Sequence, residues 1–149
     1  MIEKSLKDWL KHRRILEELL KTVKEEDADF KPWDGAMSLG ELALHIAGWA
    51  DTFITLAKTG EFSKPEKYQF KTMSEVREAV HLLTEKTAAT YSSLTAEDLE
   101  AVRTFPISDF KFPGKVYLKI IHDHEVHHKG QLYVYARMTG VEKVTFFRN

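Results

Sequence analysis

The chain contains no cysteine among its 149 residues. This absence excludes disulfide bonds, thiolate metal sites, iron–sulfur clusters and a cysteine nucleophile, so any metal chemistry must use histidine, carboxylate or backbone oxygen ligands. An excess of one charge is also missing, because 22 Lys and Arg residues are balanced by 23 Asp and Glu residues. Bulk charge therefore gives no reason to expect nucleic-acid binding.

Long apolar runs are absent as well. Glu3, Lys4, Lys7 and Asp8 interrupt the N-terminal segment, and no other stretch approaches the roughly 18 uncharged apolar residues of a membrane span. We therefore expect no membrane association and a cytoplasmic location. Chains of this length usually build one hydrophobic core, so we expect a single domain over residues 1–149.

Apolar spacing predicts four amphipathic helices. The first extends from about Ile2 to Val23. The second begins at Ser38, which can form a capping box with Glu41, and it closes at Thr59-Gly60. The third begins with a similar box at Thr72, and it ends or restarts near Leu94 and Thr95. The fourth extends from about Lys115 to Met138.

Two long connections separate these helices. Residues 61 to 71 are rich in aromatic side chains and are expected to lie across the bundle. Between Arg103 and Gly114, two prolines and alternating apolar residues predict an extended loop or a short hairpin that leads into the site. The pattern predicts an all-α fold, a four-helix bundle with at least one long crossover connection. A helical repeat is the alternative.

Two histidines lie on the predicted buried seam of the fourth helix. That seam recurs at intervals of four and three: Tyr117, Ile121, His124, His128, Gln131, Tyr135 and Met138. Replacing an apolar residue there by histidine sacrifices about 1.5–3 kcal/mol and leaves ring nitrogens that need partners. Because His124 and His128 are four residues apart, both rings lie on one side of the helix and can converge on one metal ion.

His45 is the best candidate for a third ligand. It belongs to a stripe of small and polar residues on the second helix that could line a cavity: Ser38, Glu41, His45, Gly48, Thr52 and Thr55. The other histidines, His12, His81, His122 and His127, fit a solvated or singly hydrogen-bonded role better, although His127 could support a ligand from outside the coordination sphere. We predict that His45, His124 and His128 bind a divalent metal ion. The alternative is three buried histidines without metal.

Residues 124 to 128 also match the zinc-protease motif H-E-x-x-H, in which the glutamate is a general base. The extended form of this motif requires glycine at 131 and histidine at 134, where this chain has Gln131 and Val134. A thermolysin-like site would need a later ligand, and the only downstream acid is Glu142, beyond the helix end. The sequence therefore disfavours a protease.

Two segments, Leu42-Ala43-Leu44-His45-Ile46-Ala47-Gly48-Trp49 and His124-Glu125-Val126-His127-His128-Lys129-Gly130-Gln131-Leu132, resemble the signature segments of the DinB/YfiT-like family of metal-binding four-helix-bundle proteins. The resemblance extends over essentially the whole chain and is most specific in the second segment. It implies the same ligand set, His45, His124 and His128, and it supplies no distinct catalytic base.

This superfamily includes metal-dependent transferases that use low-molecular-weight thiols, a maleylpyruvate isomerase-like branch and many proteins of undefined activity, frequently dimers. The resemblance implies a divalent-metal-binding homodimer with an open three-histidine site. Such a site suits a metal-dependent thiol transferase or a hydrolase, with a low-molecular-weight thiol and a small electrophilic substrate as partners. Tyr135 and Gln131 are candidates for orienting a substrate, with plain packing as the alternative.

Imidazole ligands suit zinc, nickel, copper and iron, and we expect zinc or nickel. Two other functions stay open. One is a non-catalytic metal-binding or stress-related dimeric bundle, in which the ion ties the second helix to the fourth. The other is a dimeric interaction module whose buried histidines bind no metal.

Overall fold

The computed structural model describes residues 1–148. In chain order its helices are α1 (Ile2–Lys21), α2 (Leu39–Thr59), α3 (Met73–Ser92), the short α4 (Ala96–Glu100) and α5 (Gly114–Met138). A single 3-10 turn covers Glu25–Asp27, and a hairpin of β1 (Val102–Phe105) and β2 (Phe110–Pro113) precedes α5. The predicted all-α bundle is confirmed. No helix within residues 1–148 is long and apolar enough to cross a membrane.

The four long helices form a closed ring in which α1 and α2 each pack against both α3 and α5. Helices α2 and α3 are parallel: Lys86 bonds Asp51, and seven residues further along both helices Lys58 bonds the Ser93 carbonyl. A connection between parallel neighbours must return along the length of the bundle. Residues 61–71, which we call the strap, make this return, so the predicted crossover connection is present.

Glycines on α2 allow the strap to pack closely. A Cβ atom at Gly40 would lie 2.5 Å from the Phe70 ring, and one at Gly48 would lie 2.8 Å from Pro65. The hydroxyl of Thr52 donates a hydrogen bond to the Ser63 carbonyl at 2.9 Å. The C-terminal half of the small and polar α2 stripe is therefore covered by the strap.

Most helix ends in the structure lie where the capping residues in the sequence predicted them. Both hydrogen bonds of the Ser38–Glu41 capping box are present, as are those of the box at Thr72, and Gly60 ends α2 in the left-handed region at φ 78°. A further capping box at Thr95 begins α4. Of the two possibilities predicted near Leu94 and Thr95, an end or a restart of the helix, the chain therefore restarts as a new short helix. Of the two possibilities for residues 103 to 114, the hairpin is found. Helix α1 ends at Lys21, two residues before the predicted end.

The seam predicted for α5 is partly wrong. Tyr117, Ile121 and Tyr135 are buried as expected, but Gln131 and Met138 are exposed. The buried face also contains the charged residues Glu125 and Lys129, which are 1% and 3% exposed. A seam through Leu118, Ile121, Glu125, Leu132 and Ala136 describes the buried face better. Helix α5 is thus rotated from the prediction, and both seam histidines lie at the border of the core, only partly buried.

Candidate metal centre

The structure brings His45, His124 and His128 together between α2 and α5. The Nε2 atom of His45 lies 3.2 Å from the Nε2 atoms of both other histidines. One nitrogen from each ring can be chosen so that all three lie within 4.8 Å of one another. Within residues 1–148, no other set of three histidine or acidic side chains converges in this way.

These distances fit a metal ion. Nitrogen ligands about 2.0–2.1 Å from a tetrahedral zinc ion are about 3.3 Å from one another. The two 3.2 Å separations at His45 are close to that value. In both of these contacts the atoms that meet are Nε2 atoms, which can bind an ion when they carry no hydrogen. The donor set and its spacing therefore suit a divalent ion.

Burial keeps two of the three candidate ligands, His45 and His124, neutral. It lowers the pKa of His45 to about 4, with a further contribution from His128. Burial also lowers the pKa of His124 to about 3, assisted by His128 and His45. A neutral imidazole is the form that binds a metal, so both ligands are ready at pH 7 without losing a proton.

Gln131 orients His128. The Nδ1 atom of His128 lies 2.6 Å from the side-chain oxygen Oε1 of Gln131, which accepts a hydrogen bond from it. A proton held on Nδ1 leaves Nε2 free as the ligand atom. From the sequence, His127 was the candidate for supporting a ligand in this way. In the structure its ring packs against the ring of His128, with 4.7 Å between the ring centroids.

Aromatic side chains enclose one side of the triad. The ring of Trp49 lies beside His45, and the ring of Phe53 lies beside His124, each with centroids 6.4 Å apart. Phe105 of the hairpin packs against both Trp49 and Phe53. The hairpin therefore reaches the site indirectly, through these aromatic side chains.

On another side His45 opens onto a cleft of about 710 Å³. Ser38, which caps α2, and Glu41 and His45 of α2 line it, together with residues of the 29–37 loop and of the strap. The prediction that the polar α2 stripe lines a cavity is therefore correct for its N-terminal half. It is also correct for its C-terminal half, because Gly48, Thr52 and Thr55 line a second pocket of about 290 Å³ between α2, the strap and α3. Of the three histidines, His45 lines this cleft, so a small molecule in the cleft can contact His45.

Glu125 does not belong to this site. Its carboxylate accepts two hydrogen bonds of 2.7 Å from the Arg13 guanidinium and one of 3.3 Å from the Trp9 indole. Both partners lie on α1, which packs against a different face of α5 from the one that faces His45. A carboxylate held by a buried guanidinium is a poor general base. The H-E-x-x-H match therefore has no protease geometry.

The other histidines lie elsewhere. The Nδ1 atom of His12 is 2.7 Å from the Lys129 amine, His81 is exposed beside Glu17, and His122 lies next to Asp123. Tyr135, offered as a substrate-orienting residue, donates a hydrogen bond to the Met37 carbonyl at 3.1 Å and is 8% exposed. It therefore has a packing role, and Gln131 is engaged with His128.

Sequence reasoning missed the buried charges on α5. Arg13 bonds Glu125, and Lys129 donates a hydrogen bond of 2.6 Å to the Phe147 carbonyl. One feature of the sequence could have revealed them. A second set of apolar residues shares one face of α5 with Glu125: Leu118, Ile121, Leu132 and Ala136. A charged residue inside an apolar register indicates a buried partner.

Comparison with known proteins agrees with this fold. The model of the DinB family matches residues 1–147. The chain is 31% identical over 143 residues to YjoA of Bacillus subtilis (strain 168), a protein described as uncharacterized, and the match covers 94% of this chain and 92% of YjoA. The crystal structure of YjoA, a DinB-like protein, superposes with a TM-score of 0.85 at 28% identity, covering 98% and 99% of the two chains.

Two more distant structures share the fold. A DinB-like protein from Bacillus cereus ATCC 10987 superposes with a TM-score of 0.76 at 21% identity, over 96% of this chain and 97% of that one. A mutant of a mycothiol-dependent maleylpyruvate isomerase superposes with a TM-score of 0.68 at 12% identity, over 89% of this chain and 60% of that one. With the family model matching nearly its whole length, this chain belongs to the DinB family.

Proposed function

We propose that this protein binds one divalent metal ion, zinc or nickel, through His45, His124 and His128. The observation that supports this most strongly is the pair of 3.2 Å separations between Nε2 atoms, because they are close to the spacing of ligands around one ion. Three protein ligands would leave a further coordination position open, and we propose that it is reached through the cleft that His45 lines.

We further propose that the loaded site is catalytic and transfers a low-molecular-weight thiol to a small electrophile. A divalent ion with an open position lowers the pKa of a bound thiol or water, which supplies a nucleophile at neutral pH. Support for a thiol comes from the shared fold with an isomerase named as mycothiol-dependent. A hydrolase reaction, with water in place of the thiol, is the variant of this proposal.

The chain's own residues then have simple roles. The three imidazoles hold the ion without adding negative charge, which keeps it strongly electron-withdrawing. Gln131 fixes the orientation of His128. Trp49 and Phe53 present apolar surface beside the ligands, which strengthens electrostatic interactions at the site. With Glu125 bound to Arg13, no general base is assigned, so the thiol proton passes to solvent.

A second candidate function is a non-catalytic metal-binding bundle. The ligands come from α2 and α5, so an ion would join two helices of the bundle. In that case, removing the ion should lower the melting temperature strongly.

We also propose a single domain over residues 1–149, a cytoplasmic location, where low-molecular-weight thiols stay reduced, and a homodimer.

Turnover of a thiol and an electrophile tests the catalytic proposal. Full-length protein loaded with zinc or nickel is mixed with 1-chloro-2,4-dinitrobenzene and, in turn, glutathione, cysteine or coenzyme A. In the product, the thiol sulfur forms a bond to the ring carbon, chloride leaves and the thiol proton goes to solvent. We expect metal-dependent turnover that is lost in His128→Ala and kept in His127→Ala.

His127 is the matched control because it neighbours His128 on α5 and is exposed. A panel widened to epoxides, maleylpyruvate and simple esters covers the isomerase-like and hydrolase variants. If the metal binds and no member of the panel is processed, the enzyme proposal fails. A large fall in melting temperature on chelation would then favour the structural role.

A further inference from the structure

The pocket of about 290 Å³ between α2, the strap and α3 is separate from the candidate metal centre. We call it the strap pocket. None of the three candidate metal ligands lines it, although Pro65, Glu66 and Tyr68 of the strap line both this pocket and the cleft at His45. Ligand pockets usually measure about 300–1,000 Å³, so the strap pocket suits a small molecule.

Contacts within the chain hold the strap over this pocket. Thr52 on α2 donates a hydrogen bond to the Ser63 carbonyl, and Pro65 packs where Gly48 has no side chain. Leu83 of α3 adds apolar surface to the lining. A pocket that is formed in advance binds a ligand with less loss of conformational freedom than one that must first be ordered.

Asp51 brings an unpartnered carboxylate oxygen to the strap pocket. Its Oδ2 atom accepts a hydrogen bond of 2.8 Å from the Lys86 amine. Its Oδ1 atom is buried and accepts no hydrogen bond from any group within residues 1–148. Buried acceptors normally have a donor, so Oδ1 is suited to an N–H or O–H group from outside the chain. A water molecule takes up only about 30 Å³ in the liquid, so the pocket has room for a larger donor.

Charged groups of both signs line the strap pocket in equal number. They are the carboxylates of Asp51 and Glu66 and the amines of Lys64 and Lys86. The hydrogen bond to Asp51 raises the pKa of Lys86, and the charges of Asp51 and Glu66 add to this shift. A ligand that carries one charge of each sign would match this lining, because each of its charges could face an opposite one.

We propose that the strap pocket binds a small zwitterion with the head group of an α-amino acid. Its ammonium group donates a hydrogen bond to Oδ1 of Asp51, and its carboxylate pairs with the amine of Lys64. The apolar part of the lining, which includes Pro65 and Leu83, accommodates a small or medium side chain. This binding requires no metal ion.

Titration calorimetry of the full chain with the twenty standard amino acids tests this proposal. We expect at least one of them to bind with a Kd of about 1 mM or tighter. Analogues that lack either charged group should bind about tenfold more weakly or worse, because each loses one charge-assisted contact. For serine these analogues are 3-hydroxypropanoate and ethanolamine. Glycerol and glucose, which offer hydroxyl groups without charge, should not bind.

Two pairs of variants locate the site. Asp51→Asn should weaken binding about tenfold or more, whereas Asp29→Asn removes a carboxylate that lines only the cleft at His45 and should have no effect. Lys64→Met should also weaken binding. Its matched control is Lys67→Met, which removes an amine that lines the cleft and not the strap pocket. Because Lys64 is exposed, its replacement should leave the fold intact.

A further titration separates the strap pocket from the metal centre, since amino acids can themselves bind metal ions. We expect His128→Ala to bind the amino acid as tightly as the wild type. Loss of binding in this variant would overturn the proposal, as would failure of all twenty amino acids to bind, binding of glycerol or glucose instead, or equal affinity in Asp51→Asn. Metal content is measured separately, so either proposal can fail without the other.

Discussion

At the residue scale, the candidate site depends on three imidazoles, of which His45 and His124 are kept neutral by burial, and on one amide that orients His128. Burial holds the pKa of His45 and His124 far below the ordinary value of 6.5. Gln131 binds Nδ1 of His128 and so directs Nε2 toward the other two rings. Orientation of the ligands is therefore largely set before an ion arrives, which favours affinity because less ordering accompanies binding.

Gln131→Leu tests this orientation. Loss of the amide oxygen leaves Nδ1 of His128 without its partner, and losing such a partner typically weakens metal binding about 10- to 100-fold. Competition with a chromophoric chelator measures the affinity. Because Gln131 is exposed, stability without metal should change little. Gln131→Glu keeps an acceptor oxygen and should bind metal at least as tightly as the wild type. Equal affinity in Gln131→Leu would show that this contact is unimportant.

At the element scale, α5 has two different sides. One side presents His124 and His128 to α2, and the other presents Glu125 and Lys129 to α1. The Arg13–Glu125 pair is almost fully buried, with 0% and 1% of the side chains exposed. It fixes the rotation of α5 relative to α1, and this rotation determines where the metal ligands point.

Substituting only one member of the Arg13–Glu125 pair should reduce the stability of the fold strongly. Arg13→Met leaves the Glu125 carboxylate buried without a cation, and Glu125→Leu leaves the guanidinium without an anion. We expect each to reduce the free energy of unfolding by about 3–5 kcal/mol, measured by urea denaturation. The double variant should recover most of this loss, because no charge then stays buried. Lys4→Ala, which removes an exposed ion pair with Asp8 on α1, should have almost no effect. Losses that simply add in the double variant would contradict this role.

The elements also show what could be predicted from the sequence. Capping boxes such as Ser38–Glu41 act within four residues, so helix starts were predictable from local sequence. The rotation of α5 was not, because it depends on Arg13, 112 residues away from Glu125. Two different sets of apolar residues on α5 could each form its buried face. The set that is buried in the structure includes the charged residue Glu125, so it did not look apolar in the sequence. The triad was still predicted because His124 and His128 share one side of the helix in either case.

At the scale of the whole molecule, several histidines remain neutral in the folded state. Burial lowers the pKa of His12 to about 4, with the Lys129 charge as a second cause, and similar shifts apply at His45 and His124. In the unfolded chain the same groups titrate near 6.5. The unfolded state therefore takes up protons first as the pH falls.

Stability without metal should consequently depend on pH. The contribution of these groups is fully present above pH 6.5 and is lost as the pH falls from there toward 4. Melting temperatures recorded with a chelator present should decrease steadily from pH 7 to pH 5, a range in which most carboxylates stay ionised. His81→Ala should follow the same profile, because His81 is exposed. A melting temperature that is constant or rises over this range would contradict the neutral, buried state.

The most direct test of the account is the metal content of the full chain, purified without an affinity tag. Elemental analysis of the wild type should find one zinc or nickel ion per chain, and His45→Ala, His124→Ala and His128→Ala should each lose most of it. His127→Ala should retain the full content because its side chain lies outside the triad. A wild-type protein that contains no ion and takes up none on titration, or triad variants that keep their metal, would contradict the assignment of His45, His124 and His128 as ligands.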